Sequence, residues 1–155
     1  MLYPLTRKLF PPSRLLKALV LCCVIFPSLA SAAQPEPRLT VIVHSQVTYD
    51  ELSRSMLRSI FTMRLTRWED GTPIKVFVLA DDDPVHRRFS KKALAVFPYQ
   101  LRQTWDRAVF SGTGTAPFVV EDQNAMLNTI AATPGAIGYV VGNKDREGVR
   151  YVVVE

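Results

Sequence analysis

The chain has 155 residues, of which 19 are Lys or Arg and 14 are Asp or Glu, so its formal net charge at pH 7 is +5. Four of the basic residues, Arg7, Lys8, Arg14 and Lys17, lie near the N-terminus, where there is no acidic residue, which leaves 15 basic against 14 acidic residues in the remainder. The excess charge therefore belongs to the N-terminal segment and gives no reason to expect a nucleic-acid-binding protein.

The N-terminal segment has the order of a secretion signal. A basic stretch is followed by an apolar run from Ala18 to Leu29 and by small residues from Ala30 to Ala33. The apolar run is shorter than the roughly twenty residues that a membrane-spanning helix needs. We therefore predict a signal peptide over residues 1–32, cleaved after Ala32, and a periplasmic location for the rest. An uncleaved N-terminal anchor stays open as the alternative.

The mature part, residues 33–155, is long enough for one hydrophobic core and is predicted to form a single domain. Both cysteines, Cys22 and Cys23, lie in the leader, so the domain has neither a disulfide nor a thiolate metal ligand. The domain must be stabilised by its core alone, and Trp68 and Trp105 are expected to lie in that core.

The first predicted elements are a strand, a helix and a second strand. The β-branched apolar sequence LTVIVH at 39–44 predicts a buried strand. Thr48 stands three residues before Glu51, the spacing of a capping box that opens a helix, and apolar residues recur behind it at spacings of three and four. The sequence TRWEDGTP at 66–73 predicts a turn, and IKVFVLA at 74–80 predicts the second strand.

Three more helices are predicted in the second half of the chain. Asp83 before Pro84 is typical of a helix start. Pro98 begins the next helix, and Asp122 caps the last one. The remaining predicted elements are strands at 137–141 and 149–154 and a loop, SGTGTAP, at 111–117.

Strands separated by helices predict an α/β fold with a mixed, mostly parallel sheet flanked by helices. In such sheets ligands bind beyond the carboxyl ends of the strands. Those ends are predicted at His44–Gln46, Ala80–Asp83 and Val141–Asn143. A binding site is expected where they meet.

Few residues are arranged for catalysis. His44 and His86 are far apart in the sequence, and neither lies in a cluster with metal-ligand spacing. The mature sequence has no cysteine nucleophile and no Gly-x-Ser-x-Gly motif, and the glycines at 111–117 lack the lysine of a phosphate-binding loop. We therefore predict a protein without catalytic residues, cofactor or metal.

Three segments leave alternatives open. The run Asp81–Asp83 either holds a hard cation such as calcium, or Asp83 caps the next helix and its neighbours gain from the helix dipole. The segment 111–117 is either a flexible connection or a nest of backbone amides for an anion. A basic helical face, expected to be solvated or to pair with an acidic partner or anionic lipid, consists of Arg87, Arg88, Lys91 and Lys92.

Two motifs resemble the phosphate-type periplasmic substrate-binding proteins of ABC transporters. The first is the run from Asp50 to Leu79, in which Ile60-Phe61 ends a helix, Thr66-Arg67-Trp68 forms a turn, and a strand begins at Ile74. The second and more specific motif is PGAIGYV at 134–140. The resemblance covers nearly the whole mature domain. It implies one lobe of a type II periplasmic-binding-protein fold, because about 120 residues are enough for roughly one of the family's two lobes.

The resemblance implies a protein that binds phosphate or a related small oxyanion without catalysis and works with a membrane permease. In the family, the loop after the second strand is rich in Ser, Gly and Thr, which bind oxyanions at a helix N-terminus. The matching stretch here is Asp81–Pro84, whose carboxylates oppose an anion. If an oxyanion binds, the expected groups are Ser45, the amides after Asp83, His86 and Arg87.

A second hypothesis follows from that departure and from the missing lobe. The domain would be a ligand-free interaction module that docks onto a membrane or periplasmic protein. A homodimer would be a natural way for one lobe to recover the other half of a cleft.

Overall fold

The computed structural model describes residues 37–142 and 145–155, so the predicted signal peptide at 1–32 lies outside the described residues. None of the helices described is long and apolar enough to cross a membrane. The strands are β1 (Leu39–His44), β2 (Glu51–Leu52), β3 (Lys75–Val78), β4 (Phe118–Val119), β5 (Ala136–Val141) and β6 (Val149–Val154). The helices are α1 (Arg54–Phe61), α2 (Pro84–Lys92), α3 (Pro98–Phe110) and α4 (Gln123–Ala132).

The strands form one mixed sheet in the order β2-β6-β1-β5-β3-β4. The pairs β2–β6, β5–β3 and β3–β4 are parallel, whereas β1 is antiparallel to both of its neighbours, β5 and β6. Of the described strands, all except β1 therefore run in the same direction. The predicted α/β fold with a mixed, mostly parallel sheet is confirmed.

Helices cover both faces of the sheet, as two consecutive residues of β5 show. Successive side chains of a strand point to opposite faces. A Cβ atom on Gly138 would meet the Met126 sulfur of α4 at 2.5 Å. The next residue, Tyr139, stacks on Phe89 of α2 with ring centroids 3.9 Å apart. Helix α4 therefore packs on one face, and α2 packs on the other.

The first helix begins later than predicted. Ser53 caps α1, and its hydroxyl accepts a hydrogen bond from the Met56 amide at 3.1 Å. Glu51 and Leu52 form β2, paired in parallel with the end of β6. The capping box predicted from Thr48 and Glu51 is wrong because β6 offers backbone partners to this segment and a serine closer to the helix supplies the cap.

The other predicted elements are present, with small differences in their bounds. Asp83 and Asp122 cap α2 and α4 through their side chains. Trp68 and Trp105 lie in the core, with 4% and 1% of their surface exposed. Strand β4 was not predicted, because two exposed residues are too few to show an alternating pattern.

Candidate functional site

The carboxyl ends of the five parallel strands lie at one edge of the sheet, and the beginning of β1 lies there as well. Leu39 pairs with Val141, and the Gly142 amide donates to the Arg38 carbonyl at 2.8 Å. At the opposite edge, the end of β1 pairs with the beginning of β6, His44 with Val149. The expectation that all three predicted strand ends meet is therefore wrong for His44–Gln46, since β1 runs against the other strands.

The predicted ligand residues are accordingly divided between the two edges. Asp83, His86 and Arg87 share the beginning of α2, at the carboxyl edge. Ser45 is exposed at the other edge, where its amide donates to the Gly148 carbonyl at 2.9 Å. The structure therefore brings three of the four residues together and leaves Ser45 apart. Arg87 is exposed on α2.

The N-terminus of α2 already holds a carboxylate of this chain. One Asp83 side-chain oxygen accepts hydrogen bonds from the amides of Val85 and His86, at 2.7 and 3.2 Å. Pro84, at the first helical position, has no amide hydrogen to offer. The amides that sequence analysis assigned to an oxyanion are thus bonded within the helix cap. Asp83 occupies the position that an external anion would need.

Asp81 is also engaged within the chain. Its two oxygens accept hydrogen bonds from the Arg102 guanidinium, each at 2.8 Å. The bond from Arg102 holds the pKa of the Asp81 carboxyl below its usual range. The guanidinium also lies over the Trp105 ring, 5.0 Å from its centroid. In the described part of the chain, no cluster of three or more His, Cys, Asp or Glu side chains is arranged to hold a metal ion. Asp81 pairs with an arginine and Asp83 caps a helix.

His86 lies beneath this acidic loop and is completely buried. Its Nδ1 is 2.6 Å from the Tyr139 hydroxyl, which accepts a hydrogen bond from the Leu79 amide at 3.0 Å. A Tyr139 hydroxyl that accepts from Leu79 and donates to Nδ1 leaves the imidazole proton on Nε2. Nε2 has no hydrogen-bond partner among the described residues and lies 4.0 Å from an Asp81 oxygen. Burial lowers the pKa of His86, and the nearby Asp81 carboxylate opposes this effect.

The buried imidazole predicts a loss of stability in mild acid. The folded state keeps His86 neutral at pH values where the unfolded chain binds a proton, because burial lowers the pKa of the folded imidazole. The contribution of the neutral His86 to the free energy of unfolding is therefore fully present above the pKa of about 6.5 that the imidazole has in the unfolded chain. This contribution is lost as the pH falls toward the lower pKa of the folded state, by at most about 1.4 kcal/mol per pH unit.

Urea denaturation between about pH 8 and pH 5 measures this dependence. His86→Gln should flatten the decline, whereas the control His44→Gln, which removes the other histidine, should retain it. If the free energy of unfolding of His86→Gln fell with pH as steeply as that of the parent, the decline could not be attributed to His86.

The segment 111–117 follows α3, and its first four amides are bonded within the chain. The amides of Ser111 and Gly112 donate to carbonyls of α3, and the amides of Thr113 and Gly114 both donate to the Ala108 carbonyl. Gly112 has the positive φ, +68°, that is common just after a helix C-terminus. These four amides are therefore used within the chain, which favours a connection over an anion nest.

A basic groove lies at the same carboxyl edge as the acidic loop. We use this name for a cavity of about 530 Å³ next to the beginning of β1, the end of β6 and one side of α2. Its cationic side chains are Arg38, Arg54, Arg88 and Lys92. None of the described residues that line it is acidic. The groove could not be predicted from sequence, because only the order of the strands in the sheet brings Arg38 and Arg54 near α2. No local motif marks these two residues.

Comparison with known proteins identifies the fold family. A family model described as a PBP superfamily domain matches residues 38–150. The chain belongs to the PBP superfamily. A search among curated proteins finds no significant match.

Solved structures of PBP-type proteins have the same fold. An ABC-type phosphate transport receptor from Vibrio cholerae aligns over 76% of the chain, with 14% identity and a TM-score of 0.58. PstS from Borrelia burgdorferi also aligns over 76%, with 15% identity and a TM-score of 0.58. The sequence-based resemblance to phosphate-type substrate-binding proteins is thus confirmed at the level of family and fold.

The chain spans about half the length of these PBP relatives, 46% of the Vibrio protein and 47% of the Borrelia protein. Residues 38–150 form the PBP superfamily domain of this chain. Within it, the carboxylates of the loop after β3 are bonded to groups of the chain itself, and the basic groove at the same edge carries the positive charge.

Proposed function

We propose that this protein is an exported solute-binding protein that holds phosphate or a related small oxyanion without catalysis. The family and the fold support a solute-binding role, and the related Vibrio structure is an ABC-type phosphate transport receptor. The observation that carries the choice of an anion is the basic groove. It places three arginines and a lysine beyond the carboxyl ends of parallel strands, where α/β sheets bind their ligands.

The proposed site differs from the one expected from sequence. At the β3–α2 loop, an oxyanion would have to displace the Asp83 carboxylate from the helix amides and lie near Asp81. Like charges at such distances disfavour binding. In the groove, arginine guanidinium groups offer the planar, paired donors that fit phosphate oxygens. We therefore place the oxyanion in the groove.

The cellular setting is part of the proposal. The predicted signal peptide at 1–32 would deliver the domain to the periplasm, where a membrane permease would be the natural partner of a binding protein. A single lobe encloses a ligand less completely than two lobes, so fewer polar groups converge on it and the affinity should be lower.

Isothermal titration of the purified protein with inorganic phosphate at near-physiological salt tests this function. We expect saturable binding with a dissociation constant in the micromolar range, because guanidinium–phosphate pairs form charge-assisted hydrogen bonds. Titration with chloride at the same ionic strength is the control for unspecific anion effects. Silence up to millimolar phosphate would overturn phosphate as the ligand.

A second candidate function is favoured by exposed apolar side chains on α3 and β4. Phe110 is 90% exposed, Phe118 is 52% exposed and Val119 is 56% exposed. Strand β4 is also the last strand of the sheet on its side. Such a surface fits a module that docks on another protein, including a second copy of the chain. Absence of phosphate binding together with a concentration-dependent dimer in sedimentation equilibrium would support it.

A further inference from the structure

The basic groove is larger and more apolar than a bare phosphate ion requires. Its volume of about 530 Å³ lies within the roughly 300–1,000 Å³ typical of pockets for small organic ligands. Phosphate is one phosphorus atom with four oxygens, and a water molecule's share of the liquid is about 30 Å³, so a phosphate ion displaces only a few water volumes and leaves most of the space to solvent.

Apolar side chains form the part of the groove that the sheet provides. Val41 and Val152, which pair across β1 and β6, line the groove but are only 2% exposed, so they offer almost no surface to a ligand. The apolar surface open to a ligand comes from the partly buried Leu39, Val154 and Ala93. Burial of apolar ligand surface against such residues is favourable by about 25 cal/mol per Å². The groove therefore offers an apolar surface next to its charged groups.

The cations are placed where they can meet the charged end of a ligand. Arg38 and Arg54 are exposed, one just before β1 and the other at the first position of α1. Arg88 and Lys92 lie one turn apart on α2, and both have interactions elsewhere in the chain. Arg38 and Arg54 are therefore the groups that would contact a ligand, and the α2 cations add to the positive potential.

We propose that the basic groove binds an organic phosphate, a phosphomonoester whose phosphate meets Arg38 and Arg54 and whose apolar body covers β1 and β6. This inference rests on the proposed oxyanion-binding function and names the class of ligand. The dianionic phosphate matches the paired guanidinium donors, and the apolar body accounts for the space and lining that inorganic phosphate leaves unused.

Titration with three probes tests the ligand class. We expect phenyl phosphate to bind at least about tenfold more tightly than inorganic phosphate, which is about 1.4 kcal/mol. Phenol, which has the ring without the charge, should not bind measurably. Equal affinity for phenyl phosphate and inorganic phosphate would leave the proposed function standing and overturn the organic ligand. Binding of phenol as tight as that of phenyl phosphate would overturn the role of the cations.

Charge-reversal variants test the location. Arg54→Glu should weaken both phosphate ligands at least tenfold, and it should not impair folding, since an acidic residue in the first turn of a helix interacts well with the helix dipole. Arg38→Glu is a second variant for the same test. The matched control is Lys91→Glu on α2, because the Lys91 amine lies 5.7 Å from the Phe97 ring centroid and outside the groove.

The possible failures are distinguishable. If inorganic phosphate binds and neither Arg54→Glu nor Arg38→Glu weakens it, the ligand binds elsewhere and the groove assignment is overturned. If neither phosphate compound binds, the inference and the proposed function fail together. Thermal unfolding of each variant shows whether a lost affinity reflects a lost fold. Binding of phenyl phosphate without binding of inorganic phosphate would support the organic ligand and replace phosphate as the solute.

Discussion

Gly135→Ala is expected to destabilise the protein by about 3 kcal/mol, because it combines backbone strain with a collision. Gly135 has a φ of +74°, which an L side chain rarely adopts, and a Cβ atom there would lie 2.3 Å from the Pro73 carbonyl oxygen. Relief of that contact must move the 66–73 turn away from the beginning of β5. Since small domains are stable by only about 5–15 kcal/mol, the loss would be a large fraction of the total.

The control for this prediction is Gly71→Ala. Gly71 has a similar φ, +84°, but a Cβ atom there would have no neighbour within 4 Å. Its cost should be about 1–2 kcal/mol, the price of the left-handed backbone alone. Urea denaturation of both variants separates strain from collision. Equal losses in the two variants would show that the Pro73 contact relaxes without cost.

Trp105→Ala is expected to cost about 3–5 kcal/mol, the usual loss when a large buried aromatic side chain is removed. Trp105 is 1% exposed, and its indole Nε1 donates to the Phe61 carbonyl at the end of α1, at 2.7 Å. It also lies beneath the Arg102 guanidinium and 6.2 Å from the His86 ring. Its removal opens a cavity between α1, α2 and α3.

Trp105→Phe separates packing from hydrogen bonding. The variant keeps most of the apolar volume and loses the donor to the Phe61 carbonyl, so its cost should be about 1–3 kcal/mol. Chemical denaturation followed by circular dichroism measures both variants, because removal of Trp105 also changes the fluorescence. A Trp105→Ala variant as stable as the parent would contradict the placement of this side chain in the core.

The two motifs that carried the sequence resemblance are in contact in the structure. Trp68, from the first motif, donates its indole N–H to the Gly135 carbonyl of the second motif at 3.0 Å. Tyr139, also in the second motif, accepts a hydrogen bond from the Leu79 amide through its hydroxyl and so supports the chain just after β3. These residues hold the turn and the strands together. The motifs could therefore predict the family and the fold, although only Arg54, in the first motif, lines the groove.

Strand direction was the part of the fold that the sequence could not predict. The residue pattern of β1 indicates a buried strand, and it is the same for either direction of pairing. Residues 142–148 connect β5 to β6, which point the same way because both are antiparallel to β1. So short a connection is more typical of antiparallel neighbours than of parallel ones.

Because the residue pattern of β1 does not show its direction, Ser45 could be assigned to the wrong edge of the sheet.

The candidate site was partly predictable for a related reason. Capping by Asp83 follows from local sequence, because the residues that interact are neighbours in the chain. The pairing of Asp81 with Arg102 and the burial of His86 against Tyr139 depend on residues that only the tertiary fold brings together. The same holds for Arg38 and Arg54 in the groove. Local patterns therefore located the acidic loop, but they could not show that its interactions lie within the chain, since the partner of Asp81 is distant in the sequence.

The central position of β1 has a consequence for the order in which the chain can fold. Among the described strands, β1 comes first in the sequence, yet its two partners, β5 and β6, come last. Until those strands have been synthesised, the middle of the sheet has nothing to pair with, and contacts between such distant residues form slowly. A chain that still lacks β5 and β6 is therefore expected to lack the middle of the sheet, even where its helices and the β3–β4 pair can form.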